Sequence, residues 1–154
     1  MKMYKLFIPL LLTLSFMGCE KRPVDELHKV HWDRDMCERC KMVVSDRKHT
    51  VQVINPQSGR SYMFDDIGCM VLWFDEEKIE WKNAAIVWIT DVDNGEWIDA
   101  KKAFYDTMNL TPMAYGIGAH KDRLTIKEGE EVLEYDAISA RILQIENQLN
   151  KKSY

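Results

Sequence analysis

The alternation of apolar and polar residues predicts that the first half of the chain folds as two strands, a helix and a third strand. Residues 50–54 and 60–64 alternate as half-buried strands do, and a turn rich in Asn, Pro and Gly separates them, which indicates a β-hairpin. Asp65 or Asp66 can then cap a helix. The apolar residues at helical spacing are Ile67, Met70, Val71 and Phe74. Residues 84–90 are apolar on both faces, as in a buried central strand, so the predicted order is ββαβ.

A second set of elements follows an Asp-Asn-Gly turn. Residues 96–99 and 102–105 are predicted to be extended, and residues 112–120 to form a strand or loop in which glycines let backbones pass closely. A short strand at 131–135 precedes a last helix that Asp136 caps. The apolar stripe of this helix is Ile138, Ile142, Ile145 and Leu149. We therefore expect an α+β fold in which two small ββαβ-like subdomains pack together.

The N-terminus has the features of a bacterial lipoprotein signal. Two lysines precede an apolar run at residues 6–17, which is too short to span a membrane and ends at a Gly-Cys pair. A cysteine directly after the small residue resembles the lipoprotein box, in which that cysteine is acylated, so Cys19 is the predicted membrane anchor. Glu20 beside it favours the outer membrane, with the protein facing the periplasm. The alternative is an ordinary signal peptide with a chance cysteine.

These features divide the chain into four parts. Residues 1–18 are the predicted signal peptide. Residues 19–34 are charged and lack periodicity, so they are the predicted flexible tether. Residues 35–92 form the first ββαβ-like subdomain, and residues 93–154 form the second, which includes the C-terminal helix.

Charge and cysteine content reduce the number of functions that the protein can have. The chain has 21 basic and 25 acidic residues, and two basic residues lie in the predicted signal. The processed chain therefore carries a net charge of about −6. A nucleic-acid-binding protein would be strongly basic, so we expect no nucleic-acid partner. Three cysteines remain after Cys19, and an odd number in an oxidising compartment argues against a simple disulfide framework. At least one thiol is expected to be free or bound to metal.

The highest density of potential metal ligands is in residues 35–42, which contain two cysteines and two methionines. Thiolate and thioether are soft ligands that select Cu(I), while thiolate alone also serves zinc and iron–sulfur clusters. If this segment is extended, Cys40 and Met42 point to the same side, because side chains alternate along a strand. Met113 lies in a loop that Pro and Gly flank, a poor position for core packing, and is a candidate third ligand. Cys69 lies in the first turn of a predicted helix, where a thiolate is favoured.

The Cys37-x-x-Cys40 pair has other uses, which the sequence leaves open. A zinc ribbon needs a second ligand pair at similar spacing, and the chain has none. A thiol–disulfide oxidoreductase places its pair where a strand meets a helix, whereas this pair precedes a strand-like Met-Val-Val. A structural lipoprotein with a local disulfide, within the pair or involving Cys69, is a further alternative. We find no Ser–His–carboxylate set or phosphate-binding glycine loop, and we expect no enzyme active site.

Four motifs together resemble the NosL family, the accessory lipoproteins of nitrous oxide reductase. The motifs are Cys37-x-x-Cys40-x-Met42-Val43, Phe64-Asp65-Asp66-Ile67-Gly68-Cys69, Trp97-Ile98-Asp99-Ala100 and Thr111-Pro112-Met113-Ala114-Tyr115-Gly116. The resemblance covers residues 35–135. Charged Glu38, Arg39 and Lys41, and a longer C-terminal helix, depart from the family pattern, but they remove no ligand.

The resemblance implies a Cu(I) chaperone, not an enzyme, that delivers copper to the copper–sulfur centre of nitrous oxide reductase outside the cytoplasm. It also implies the NosL fold of two small α/β subdomains. The resemblance implies copper ligands that we rank by how strongly the family pattern points to them. Cys40 and Met42 rank first, followed by Met113, then Cys37, then His120. The implied partners are the copper ion, the recipient copper enzyme, and the membrane that the lipid anchor reaches.

Overall fold

The computed structural model describes residues 23–152, so the predicted signal peptide and the predicted anchor Cys19 lie outside the described residues. A four-stranded antiparallel sheet forms the first half of the molecule. Its strands are β1 (Val51–Ile54), β2 (Ser61–Phe64), β3 (Ile86–Thr90) and β4 (Trp97–Asp99), in the order β2-β1-β3-β4. Helix α1 (Ile67–Glu76) connects β2 to β3. The predicted ββαβ order of the first half is thus observed.

A three-stranded antiparallel sheet and a long helix form the second half. The elements are β5 (Phe104–Asp106), β6 (Gly118–His120), β7 (Leu133–Glu134) and helix α2 (Tyr135–Lys152), with the strand order β6-β5-β7. Two 3₁₀ turns, Ala100–Lys102 and Arg123–Thr125, precede β5 and β7. The predicted α+β fold with two small units is confirmed, although α2 follows all three strands of its sheet. Within residues 23–152, no helix is long and apolar enough to cross a membrane.

The strand after the predicted boundary at residue 93 belongs to the first sheet. β4 pairs with β3, with Ile98 opposite Ile89, so the first unit extends past residue 92. The reason is a tight turn between the two strands. Gly95, at a φ of 80°, donates its backbone N–H to the carbonyl of Asp91 at 2.7 Å, and the chain folds directly back onto β3.

Local sequence explains the hairpin and the start of α1. Gly59, at a φ of 69°, donates its N–H to the carbonyl of Asn55 and closes the turn between β1 and β2. All four residues of β1 are buried, because strands flank it on both sides. Asp66 is the N-cap of α1, and its carboxylate accepts a hydrogen bond from the N–H of Gly68 at 2.6 Å. The predicted hairpin and helix cap are both confirmed.

One hydrophobic core runs through both halves. α1 buries eight consecutive residues, from Ile67 to Phe74. The same cluster continues to Tyr105 of β5 and to Ile138 and Ile142 of α2. Each fully buried side chain of this size stabilises the fold by about 1.5–3 kcal/mol. The two halves therefore stabilise each other.

Residues 25–34, predicted as part of a flexible tether, instead pack along the first sheet. The His28 N–H donates to the side-chain oxygen of Gln52 at 2.7 Å, and the ring of Trp32 stacks on Trp97 with centroids 6.1 Å apart. The segment's few apolar side chains show no periodicity, so this packing could not be predicted from the sequence. Their partners come from distant strands.

Candidate metal centre

Three thiols and one carboxylate meet at the N-terminus of α1. Cys37, Cys40, Cys69 and Asp65 each place one potential ligand atom within 4.8 Å of the others, and we call these four residues the thiol cluster. All three cysteines are free thiols. Cys40 is half-buried and the other three residues are buried. The cluster is therefore closed towards the core and is most accessible beside Cys40.

A tight loop places the first two thiols. Met36 and Val43 form an isolated antiparallel bridge, and the Cys37 N–H donates to the carbonyl of Met42 at 2.8 Å. Lys41 has a φ of 60°, which turns the chain. Because the chain reverses within this loop, the cysteine side chains lie towards the interior.

The end of β2 and the start of α1 supply the other two groups. Asp65 lies between Phe64, the last residue of β2, and the capping residue Asp66. Cys69 is the third residue of α1, in the first turn, where a thiolate is expected from sequence, but its neighbours in the structure disfavour the thiolate. The Cys40 thiol donates to the Asp65 carboxylate, with Sγ–O distances of 3.4 and 3.6 Å. This contact joins the loop to the start of the helix.

Hydrogen bonds among the thiols separate their pKa values. The pKa of Cys37 is lowered to about 6, chiefly because the Cys69 thiol donates to it, although burial acts in the opposite direction. Burial raises the pKa of Cys40 to about 11, and the charges of Cys37 and Asp65 add to this effect. The hydrogen bond to Cys37 also raises the pKa of Cys69 far above its usual range. Of the three thiols, Cys37 is therefore the one that ionises most readily, and metal binding would deprotonate Cys40 and Cys69.

The structure brings together two of the predicted ligands, Cys37 and Cys40, but it places Met42 differently. Residues 38–40 form a turn, so the expected extended segment is wrong, and the alternation that would align Met42 with Cys40 does not apply. The Met42 side chain is 46% exposed on the surface of the loop. Its role as a ligand stays a prediction.

The loop that carries Met113 is docked on the start of α1. The Met113 N–H donates to the carboxylate of Asp66 at 3.4 Å. Two residues later, the ring of Tyr115 lies directly against Gly68. Met113 itself is half-buried against the core. The predicted ligand Met113 thus lies in a loop fixed to the same helix turn as Cys69, and its role also stays a prediction.

Sequence reasoning did not include Asp65 and Cys69 among the ligands. From sequence, Asp65 is only an alternative helix cap, and Cys69 is only a thiol in a helical first turn. One signal was present: a single aspartate is enough to cap a helix, so the second of two adjacent aspartates is available for another role. From sequence, a contact between Cys69 and the Cys37–Cys40 pair is only one alternative disulfide, because the meeting of three free thiols depends on how the loop folds onto the helix.

The thiol cluster has the chemistry of a site for a soft or borderline metal ion. Thiolates are preferred ligands of Cu(I), and Zn²⁺ also binds thiolates and carboxylates in four-coordinate sites. Two methionines of the loop, Met36 and Met42, are about half exposed beside it. The arrangement can therefore hold a metal ion and offers thioethers at the surface.

Comparison with known proteins gives a structural match. The sequence matches no protein-family model and no curated protein. Among solved structures, the chain is similar to the crystal structure of the copper chaperone NosL from Shewanella denitrificans, with a TM-score of 0.60 and 13% sequence identity. The match covers 73% of this chain and 94% of that chain. Similarity at this level of identity establishes the fold, and we conclude that this chain has the α+β fold of NosL, a copper chaperone.

Proposed function

We propose that this protein is a Cu(I) chaperone, a non-enzymatic carrier that holds one copper ion at the thiol cluster and passes it to a recipient protein. The observation that supports this most directly is the convergence of three free thiols at one site. Soft thiolates select Cu(I) over harder ions. The similarity in fold to a copper chaperone is consistent with this function.

We assign Cys37 and Cys40 as the thiolates that hold the ion, and Met42 and Met113 as the thioethers that complete its coordination. The pKa of Cys37 is lowered, so of the three thiols it loses its proton most readily when it receives the ion. Met42 is exposed, and its thioether can be replaced by a ligand from the recipient. Cys69 contacts Cys37 from the inside and is a further thiolate for the ion. Stepwise exchange of such soft ligands moves Cu(I) between proteins.

A thiol–disulfide oxidoreductase fits the same cysteines less well. Such an enzyme needs an accessible thiol of low pKa as its nucleophile. Here the thiol of low pKa, Cys37, is fully buried, and the more accessible Cys40 has a raised pKa. The pair also belongs to a loop that the Met36–Val43 bridge closes, and neither of its cysteines lies in the first turn of a helix. The thiol properties therefore favour metal transport.

The recipient and the location belong to the same proposal. The four sequence motifs resemble those of NosL, so nitrous oxide reductase is the recipient that we propose. The lipoprotein-like sequence before residue 20 supports a protein anchored through Cys19 at the outer membrane and facing the periplasm.

A Cu(I) titration of the reduced protein against a competing chelator tests the carrier function. We expect tight binding of a single ion, and we expect Cys40→Ser to abolish it without changing the far-UV circular dichroism. Met42→Ala should weaken binding roughly tenfold, which corresponds to about 1.4 kcal/mol. Met36→Ala is the matched control, since Met36 is a similarly exposed methionine of the same loop.

The possible outcomes separate the alternatives. Absence of tight Cu(I) binding, or displacement of copper by equimolar Zn²⁺, would rule out the copper carrier. Equal affinities for Met42→Ala and Met36→Ala would remove Met42 from the ligand set and leave the thiols as the site. Reduction of insulin disulfides that is lost on mutation of Cys37 or Cys40 would instead establish the oxidoreductase.

A further inference from the structure

A second group of potential ligands lies at the junction of the two sheets. Asp91 follows β3, Asp93 lies in the turn that leads to β4, and His120 is the last residue of β6. One ligand atom from each lies within 4.8 Å of the others. We propose that these three residues, the junction site, bind a divalent cation, for which Zn²⁺ has the best-matched chemistry. This site is separate from the thiol cluster and does not depend on copper binding.

The imidazole of His120 is oriented as in a metal ligand. Its Nε2 lies 3.2 Å from Oδ2 of Asp106, and its Nδ1 lies 3.1 Å from Oδ2 of Asp93. A proton on Nε2 that is donated to Asp106 leaves the Nδ1 lone pair directed towards the junction site. Histidine ligands almost always donate their second N–H to a carboxylate or carbonyl in this way. Asp106 is therefore the positioning residue for His120.

The Nδ1 atom of His120 faces oxygen atoms. Oδ2 of Asp93 lies 3.1 Å from Nδ1, and the Thr125 hydroxyl oxygen lies 2.8 Å from it. The Thr125 hydroxyl also contacts the carbonyl of Asp122 and the carboxylate of Asp93. A carboxylate only accepts, so a proton on Nδ1 or a metal ion can lie between Nδ1 and Asp93.

Charge balance favours the metal ion. Asp91, Asp93 and Asp106 place three carboxylates around a single imidazole, and all but Asp93 are buried together with His120. Buried carboxylates are unfavourable unless they are paired or bound to a cation. A protonated imidazole supplies one positive charge, whereas a divalent ion supplies two. Lys48 supplies a positive charge near the partly exposed Asp93, so the divalent ion would mainly compensate the buried carboxylates of Asp91 and Asp106.

The carboxylates are held in position by other contacts. The N–H groups of Asp93 and Lys121 donate to the two oxygens of Asp91, at 2.8 and 3.1 Å. The side-chain amide of Asn109 donates to Asp106. Each carboxylate oxygen keeps a second lone pair for a metal ion. The Asp93 side chain is 40% exposed, so an ion can reach the site from solvent.

Ligand chemistry selects the ion. One imidazole nitrogen and two carboxylate oxygens match a Zn²⁺ site with three protein ligands and a water molecule. Ca²⁺ and Mg²⁺ need six or more oxygen ligands, and Cu(I) prefers sulfur. The junction site therefore differs from the thiol cluster in the class of ion that it selects.

The two sites lie at the same end of the first sheet. Asp65 follows β2 and Asp91 follows β3, and β1 runs between these strands. Two interstrand spacings separate the backbones by about 10 Å, so one ion cannot be shared by both sites. Ligands of the junction site come from both sheets, because His120 belongs to the second. A bound ion would therefore join the two halves and stabilise the fold.

Calorimetric titration with Zn²⁺ tests the junction site in a variant in which Cys37, Cys40 and Cys69 are all replaced by Ser. We expect this thiol-free protein to bind a single Zn²⁺ ion and to unfold at a higher temperature when it is bound. Asp93→Asn, a near-isosteric change at a partly exposed position, should weaken Zn²⁺ binding by about tenfold or more. Asp122→Asn is the matched control, since its side chain caps the neighbouring 3₁₀ turn and lies outside the site.

Co²⁺ added to wild-type protein already loaded with Cu(I) gives a second measurement, which does not require the triple variant to fold. We expect weak d–d absorption without thiolate-to-cobalt charge transfer, and loss of this signal in Asp93→Asn. No Zn²⁺ or Co²⁺ binding, or equal affinities for Asp93→Asn and Asp122→Asn, would overturn the proposal and leave His120 as a hydrogen-bond partner of Asp93 and Asp106. Either result leaves the copper titration of the thiol cluster unaffected.

Discussion

At the scale of single residues, Gly68 controls how closely the Met113 loop approaches α1. A Cβ atom at Gly68 would overlap the ring of Tyr115. The Tyr115 hydroxyl in turn donates to Glu146 of α2 at 2.8 Å, which holds the ring in place. The absence of a side chain at residue 68 therefore allows the loop to lie against the helix turn that carries Cys69.

Gly68→Ala should destabilise the protein by about 1–3 kcal/mol, because the ring of Tyr115 must move. Without this clash, the same substitution in a helix would stabilise by up to about 1 kcal/mol. Urea denaturation monitored by circular dichroism gives the free energy of unfolding. The control is the same substitution in a Tyr115→Ala background, where we expect the loss to disappear. An equal loss in both backgrounds would show that the contact with Tyr115 is not the cause.

Single residues were also predictable to different extents. The Asp66 cap and the Gly59 turn follow from local backbone chemistry, and the sequence predicts both correctly. The extended geometry expected from Cys40 to Met42 is a local prediction that was wrong. The residues after Cys40 have a strand-like pattern and predict an extended segment. In the structure, residues 38–40 form a turn, and the positive φ of Lys41 completes the reversal of the chain. A positive φ is uncommon for lysine, so the sequence carries little indication of it.

At the scale of elements, an ion pair connects the loop that holds Cys37 and Cys40 to the C-terminal end of α1. Arg39 donates from Nε and Nη2 to the carboxylate of Glu76, at 3.0 and 2.8 Å. A second pair of the same type, between Arg141 and Glu131, joins α2 to the segment before β7. The first pair borders the thiol cluster, and the second involves none of its residues.

Arg39→Ala should destabilise the fold by no more than about 1 kcal/mol, since the pair is partly exposed. Its larger effect should be on copper. We expect a severalfold faster transfer of Cu(I) to a chelator, because the loop that holds Cys37 and Cys40 loses its tie to α1. Stopped-flow mixing of the copper-loaded protein with a chromophoric chelator measures this rate.

Arg141→Ala serves as the matched control, because it breaks a bidentate arginine–glutamate pair away from the thiol cluster. It should leave the transfer rate unchanged. If both variants transferred copper at the same rate, the Arg39 pair would have no role in holding the loop.

At the scale of the whole molecule, the shared core predicts that both halves unfold together. All five tryptophans lie at or before residue 97, in the first half. Ile142 of α2, in the second half, is fully buried in the common cluster. Tryptophan fluorescence therefore reports on the first half, while a substitution at Ile142 weakens the second.

Ile142→Ala should lower the free energy of unfolding by about 2–5 kcal/mol, through lost burial and a cavity. Because the core is shared, the denaturation curve followed by tryptophan fluorescence should shift as far as the curve followed by far-UV circular dichroism. Leu149→Ala, at a position of the same helix that is 53% exposed, should shift neither curve appreciably. An unshifted fluorescence transition in Ile142→Ala would mean that the halves unfold independently.

The sequence by itself determined the elements whose causes are local. Apolar periodicity, turn residues and helix caps specified the β1–β2 hairpin, the start of α1, β3 and the buried Ile138 and Ile142 of α2, because each depends on neighbours within a few residues. The same pattern was wrong at the ends of α2: Leu149 is 53% exposed, and Asp136, the predicted cap, lies inside the first turn. The presence of soft metal ligands in residues 35–42 was also evident from the sequence. Four short motifs indicated the NosL fold, which the structural match supports.

Tertiary structure decided which distant groups meet. Cys69 and Asp65 join Cys37 and Cys40 only because the loop folds onto the start of α1, and His120 reaches Asp91 only where the two sheets adjoin. β4 likewise pairs with the first sheet across the predicted boundary. Such contacts arise when whole elements pack around one core. The pattern of neighbouring residues along the chain does not specify which elements will pack together.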